Sequence, residues 1–461
     1  MNILLIIADS LRAQNTSLHG YHRETTPFLD SFADEVSLYT NARAPANWSL
    51  PSHTSIFTGL YPAEHGIYDE GRKLEQGNSI FELLQDDGYE TGMFSYNGYI
   101  NGGVNTGLDR GFDTVSGYRE PMFPDAFNPG GMRGEKWEFL KKALSHEQPI
   151  RSLLNGAAMK VGWDYPDLAP DWLTQETNAG KTPDDIYVRE FLDWHDERSD
   201  DWAACINFMK THNAYRPAEE YDNWSSQEAH DIQDDVAYGN WEYISGQRPI
   251  SELEQLVDLY DGCILEVDQM ISRVVTTLKE RGDYEDTLIV VTSDHGEAFG
   301  ETSFRDGITL AQHVIGAHES LLHVPLLVKS PHQEDGEEIR QPATLTKFPD
   351  VATDPDESFT AETVYAMDSG LNEVNTKKLE EWVGERDERF FGTLWVAYQE
   401  TNGAVHKHMK WNDKQTSINL ETGEKKPSEI EFEFKKKDVM SKAEGGVDES
   451  VEERLAELGY R

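Results

Sequence analysis

The chain has 461 residues, enough for about two or three folding units or one large α/β domain with an appendage. Asp and Glu number 85 against 41 Lys and Arg, a formal charge of −44. This excludes a nucleic-acid partner held by phosphate neutralisation and docking on an anionic membrane, since both need clustered Lys and Arg.

With 38% hydrophobic and 11% aromatic residues the chain is globular, so the excess acid belongs on the surface, as in proteins of salt-accumulating halophiles. Cys205 and Cys263 are too few for a disulfide framework. The opening MNILLIIADS lacks a basic n-region and a cleavage site, and no stretch approaches the roughly 20 apolar residues of a membrane span. A soluble, cytoplasmic protein is expected, and the sequence leaves its oligomeric state open.

Asn2 to Ala8 is an apolar run too short for a helix and reads as a buried parallel strand. Helices are expected over 26–33, over 51–58 with Pro51 in the first turn, and over 79–85, with a strand over 91–95. Residues 116–200 mix Pro, Gly, Trp and Asp without a sustained period and read as an insertion that shapes a site. A strand returns over 202–209. Ser251 to Arg281 is the clearest helix, with Ser251 and Glu254 placed for a capping box and Gly282 as its stop. Two buried strands follow, over 287–292 and 324–329, and Lys329 reads as a surface residue at a strand end. Beyond 331 the pattern is acidic and irregular, with a few strands over 395–435, turns at Asn402-Gly403 and Thr422-Gly423, and a closing helix over 448–458. The alternation predicts an α/β fold, a mostly parallel sheet flanked by helices over 1–330, and a smaller C-terminal α+β part over 331–461.

Two of these strands run into acid: Asp9 after the first, and Asp294-His295 after TLIVVTS. In a parallel sheet, ligands gather at the carboxyl ends of strands, so these side chains converge on one edge. Either Asp alone reads as a helix cap; the pair, with His295, reads as an incomplete shell for a divalent cation. Ser49 lies just ahead of Pro51 and a short helix, where backbone N–H groups stabilise an oxyanion. Its hydroxyl can complete the shell and attack an ester, or simply cap the helix.

Ser49-Leu50-Pro51-Ser52-His53 with Thr58-Gly59 behind it resembles the Cys/Ser-x-Pro-x-Arg signature of the sulfatase branch of the alkaline-phosphatase superfamily. Asp9, Gly111-Phe112-Asp113, His212-Asn213-Ala214-Tyr215, Ser293-Asp294-His295-Gly296-Glu297 and His323-Val324-Pro325-Leu326 follow in the family's order, spanning residues 1 to about 330. The resemblance implies Asp9, Asp294, His295 and Ser49 as ligands of one divalent cation (Ca²⁺, Mn²⁺ or Mg²⁺), and Ser49, or formylglycine made from it, as nucleophile. It implies His212 and His313 as catalytic groups at the leaving group or the anionic oxygens, and Asn97 and His318 as substrate contacts. Arg12 and His65 read as packing or loop-fixing residues, and Trp48 as a pocket wall.

Three departures separate this chain from the family pattern. His53 stands at the family arginine and, as a catalytic residue, would have to supply the positive charge beside Ser49. Ser10 stands where many sulfatases carry a second Asp, which disfavours calcium, and Ser49 replaces the usual cysteine. The implied activity is metal-dependent hydrolysis of a small anionic ester, a sulfate in the first instance. The alternatives are a phosphodiesterase, phosphonate monoester hydrolase or phosphotransferase with unmodified Ser49, and a non-catalytic binding protein on the same scaffold.

Overall fold

The run Asn2–Ala8 forms strand β1, and its alternation sends Leu4, Ile6 and Ala8 into one core and Ile3, Leu5 and Ile7 into a second on the opposite face. The structure is a computed structural model and describes residues 1–116, 123, 126–127, 136–164, 183–236, 239–304, 307–371, 373–382 and 392–442. The other strands of the main sheet are β2 (Ser37–Tyr39), β3 (Glu90–Ser95), β4 (Thr114–Ser116), β5 (Trp202–Phe208), β6 (Thr287–Thr292), β7 (Leu326–Lys329) and β8 (Glu337–Ile339). Their spatial order is β8-β2-β7-β6-β1-β5-β3-β4. β1 is parallel to both neighbours, and β7 is antiparallel to β6 and β2. The registers Ala8↔Phe208 and Ile7↔Thr292 end β1, β5 and β6 level with one another, so the residues that follow them share one edge. This is the mostly parallel α/β architecture expected.

Helix α1 (Ser49–Thr58) starts two positions before the expected 51, which puts Ser49 itself in the first turn. Pro51 is tolerated there because first-turn N–H groups lack intrahelical partners. Helix α2 (Ser251–Arg281) lays Leu256, Ile264, Val267, Ile271 and Val274 on the β1 face, each worth about 1.5–3 kcal/mol in burial. The expected Ser251–Glu254 capping box does not form. Ile250 already has helical angles, and the carbonyls of Pro249 and Ile250 take the N–H groups of Glu252 and Leu253.

The stretch 116–200, read as irregular, contains helices Lys136–Ser145, Pro149–Asp164 and Pro183–Asp196. The last of them packs Tyr187, Val188, Phe191 and Trp194 into the main core. Lys329 is a second correction. It is fully buried, and its ammonium donates to the carbonyls of Tyr284, Glu285 and Thr287, which cage it in place of water. Among the described residues no helix is long and apolar enough to cross a membrane.

The C-terminal part forms a separate antiparallel sheet of β9 (Val364–Asp368), β10 (Leu394–Thr401), β11 (Ala404–Trp411), β12 (Lys414–Asn419) and β13 (Lys425–Lys426), in that spatial order. Asn402 and Gly403 both take positive φ, 54° and 79°, the type I′ geometry that a two-residue hairpin requires and that the Asn-Gly pair predicts. The helix expected over 448–458 lies outside the described residues.

Candidate active site

At the carboxyl edge, β1 delivers Asp9 and β6 delivers Asp294 and His295, all wholly buried. One ligand atom from each of the three lies within 4.8 Å of the others. Ser10, the position of the missing third carboxylate, instead serves the other two: its N–H donates to Asp294 Oδ1 at 3.2 Å and its hydroxyl to Asp9 Oδ1 at 3.1 Å. To do so it adopts a φ of 64°, a strained value for a non-glycine residue and one that clusters at functional sites. After His295 the chain must pass close to another backbone. A Cβ on Gly296 would sit 2.0 Å from Ser320 O, so only glycine fits.

Helix α1 brings Ser49 to this trio. Its Oγ donates to Asp9 Oδ2 at 3.3 Å and lies 3.3 Å from His295 Nε2. His295 Nδ1 faces Gly296 O at 2.9 Å, which fixes the tautomer and turns the Nε2 lone pair toward the carboxylates. Burial, then the neighbouring His313, push the His295 pKa down to about 3, the neutral form that ligates metals.

The residues present fit a divalent cation. Asp294 Oδ2 is buried and accepts no hydrogen bond; it lies 3.4 Å from His53 Nδ1 and 3.4 Å from His295 Nε2. Among the described residues no lysine or arginine pairs with Asp9 or Asp294, so two buried carboxylates stand without a matching fixed charge.

The structure brings three further imidazoles here. His53 lies one turn along α1, with Nδ1 2.9 Å from Ser49 O and Nε2 2.9 Å from Asn207 Oδ1. Both nitrogens thus meet oxygens, and the ring ties helix α1 to strand β5. His313 packs against His295 and His212 with ring centroids 4.5 and 5.0 Å apart. Its Nδ1 faces Glu297 Oε1 at 3.1 Å, and burial, then His212, push its pKa down to about 3. His212 turns its Nδ1 to Asn213 O at 2.7 Å.

Asn97 also reaches the trio, but its amide donates to Asp9 Oδ2 at 2.8 Å, so it orients that carboxylate. His318 is placed elsewhere. It caps helix α3 (Glu319–Leu322) by accepting from Ser320 N at 3.1 Å, and it stacks on Phe304 at 5.0 Å. Arg12 and His65 tie loops, as expected: Arg12 bonds Glu301, Glu297 O and Asn15, and His65 bonds Ser55 and Ile67 N. Trp48 packs edge-on to Tyr99 at 5.8 Å, directly ahead of helix α1.

Three neighbours escaped the sequence reading. Asn207 faces His53, and its one signal is a lone polar residue near the end of the apolar run WAACINFM. Ser52 donates its hydroxyl to Asp294 O at 2.5 Å. Glu297, visible in the Asp-His-Gly-Glu block but given no role, faces His313, and burial lifts its pKa to about 7.

Among solved structures, the phosphonate monoester hydrolase of Agrobacterium radiobacter shares this fold, with a TM-score of 0.60 at 18% identity over 92% of this chain and 90% of that one. The fold class is that of the alkaline-phosphatase superfamily, hydrolases acting on ester bonds. Among curated proteins, a sulfatase of Formosa agariphila is 23% identical over 75% of this chain and 67% of its own length. An N-acetylglucosamine-6-O-sulfatase of Bacteroides thetaiotaomicron is 25% identical over 72% of this chain and 63% of its own length. The Sulfatase family profile matches residues 1–353, and the chain belongs to that family.

Proposed function

We propose that the protein is a metal-dependent hydrolase of sulfate esters, with Ser49 or formylglycine made from it as the nucleophile. The reading is carried by one observation: in a chain of the sulfatase family, the Ser49 hydroxyl meets a buried Asp9–Asp294–His295 trio that, among the described residues, pairs with no lysine or arginine. Asp9, Asp294, His295 and Ser49 would hold one divalent cation. When bound, such a cation polarises the ester oxygens and lowers the pKa of the attacking hydroxyl.

The chain's own residues supply the rest. The first turn of α1 presents backbone N–H groups to the anion, and Asn97 and Ser10 hold Asp9 in place. His53 bridges α1 to β5 and supports the negative charge that develops on Ser49. The Ser49 oxygen bonds to sulfur as the S–O bond to the leaving alkoxide breaks, His212 supplies a proton or His313 a hydrogen bond to that alkoxide, and release of sulfate from the covalent intermediate restores the enzyme. Serine in place of cysteine and histidine in place of the family arginine support a second reading, a phosphodiester or phosphonate monoester hydrolase with intact Ser49.

The test is an assay of the purified chain on 4-nitrophenyl sulfate and bis(4-nitrophenyl) phosphate, with and without Mn²⁺, Ca²⁺ or Mg²⁺, joined to mass spectrometry of the peptide holding residue 49. Metal-dependent sulfate ester turnover is expected. Formylglycine would favour the first reading, and intact serine that traps a phosphoryl group the second. No turnover of either ester, with no bound metal, would refute both.

A further inference from the structure

Buried polar contacts that the proposed reaction does not use fasten the His313 segment to the C-terminal sheet. The segment turns at Gln312, with φ 53°, carries His313, turns again at Gly316, with φ 98°, and joins α3 at Glu319. Strand β9 meets it first. Gly316 N–H donates to Asp368 Oδ2 at 2.8 Å, while Asp368 Oδ1 accepts Gly370 N–H at 2.9 Å. The preceding residue, Met367, donates its N–H to Pro45 O at 3.0 Å, in the loop that leads to Ser49. From the same loop, Asn47 donates to His313 O at 3.2 Å. One end of β9 therefore touches both the nucleophile loop and the His313 loop.

Strands β10 and β11 add a second anchor. Lys407, fully buried, donates to Ala317 O and to Glu319 Oε1, the latter at 2.8 Å. Tyr398 O–H donates to the same Oε1 at 2.8 Å, and Arg43 pairs with Oε2 at 2.9 Å. Burial by itself would raise the Glu319 carboxyl; Lys407 and Arg43 override it and hold the group well below the usual carboxylate range.

We propose that the C-terminal sheet is a positioning device for His313: Asp368 and Lys407 fix the course of residues 313–319 and so the seat of the His313 ring against His212 and His295. Both are positioning residues, since neither faces the trio. The catalytic half of the proposal rests on the reading that His313 assists the leaving group. Only Val314 and Ile315 separate His313 from Gly316, so freeing the Gly316 and Ala317 anchors lets the ring drift, and a misplacement of about 1 Å costs on the order of 10²-fold in rate.

The experiment uses the full chain and the variants Asp368→Ala, Asp368→Asn and Lys407→Met. His313→Ala serves as benchmark, and Lys414→Met, exposed at the start of β12, as control. Hydrogen exchange is followed over 313–319 and over 49–58, and kcat and KM are measured on aryl sulfates of graded leaving-group pKa. Asp368→Ala and Lys407→Met should speed exchange over 313–319 by about tenfold or more while 49–58 stays protected. For poor leaving groups kcat should fall by about 10²-fold with KM changed less than about threefold; 4-nitrophenyl sulfate should be little affected. Asp368→Asn, which keeps an acceptor for Gly316, should recover most of both.

Unchanged exchange over 313–319, or a rate loss equal for every leaving group, would overturn the proposal. If the wild type turns over no ester, the functional reading and the catalytic half fall together, and the exchange data still decide whether the sheet holds the segment.

Discussion

Two sets of buried carboxylates in this molecule carry opposite bookkeeping. Around Glu319, two cations and a phenol converge on one carboxylate: Lys407, Arg43 and Tyr398, at 2.8 to 2.9 Å. Around Asp9 and Asp294 there are two carboxylates, donors from Ser10, Ser49 and Asn97, and among the described residues no paired lysine or arginine. The first set is balanced, so its desolvation is roughly offset and it acts as a joint between the two sheets. The second is short of positive charge, the deficit that the proposed cation would fill.

That contrast breaks most visibly at Asp294. Asp294→Asn should abolish binding of the divalent ion, measured by elemental analysis and calorimetry, and lower ester turnover by more than about 10²-fold. The metal-free variant should be no less stable than the metal-free wild type, because the change relieves repulsion with Asp9. Binding at wild-type stoichiometry would dismiss the ligand assignment.

Lys407→Met should have the opposite signature. It leaves Glu319 with one cation in place of two and should cost about 3–5 kcal/mol in urea unfolding, with metal affinity unchanged. Equal stability would mean that the joint is not balanced as described.

Asp268 provides the smallest and sharpest comparison, a buried carboxylate that meets neutral donors, the Phe28 and Leu29 N–H groups at 2.9 Å each and the Gln269 amide at 3.3 Å. Burial raises its pKa to about 7 against those bonds. From about pH 4 to 7 the unfolded group is ionised while the folded one keeps its proton, so its contribution to stability declines as pH rises through that window. The Asp268→Asn variant should lack this decline when unfolding free energies are compared at pH 4 and pH 8. An identical slope in the two proteins would argue against the raised carboxyl.

What could be read ahead of the structure follows the range of the forces involved. β1 and β6 are continuous apolar runs ending in acid, so strand, sheet edge and the Asp9–Asp294–His295 trio were all legible from local pattern. The Asn402-Gly403 hairpin was legible because its chemistry is confined to two residues. Lys329 was not: its cage of three carbonyls comes from the loop before β6, which lies beside it only after β7 has paired. Asn207 against His53 and Glu297 against His313 were hidden for a related reason, since a polar residue in a strand or motif does not announce which ring it will face. His318 shows the converse, a histidine near the right motif whose ring is spent on capping a helix.

The reversed direction of β7 has a consequence for how this site can diversify. Leu326 pairs with Thr292, so the chain that leaves the sheet after β6 returns to the same edge. A parallel neighbour would force the connection across the whole face of the sheet, usually through a helix. Here the described residues between the two strands form a lobe that leaves and returns beside the trio, carrying Glu297 and His313 with no obligation to span the domain. Such a lobe can lengthen or shorten without moving either end. Asp294 and His295 sit directly behind the end of β6, while Glu297 and His313 ride on a segment whose length the fold leaves free.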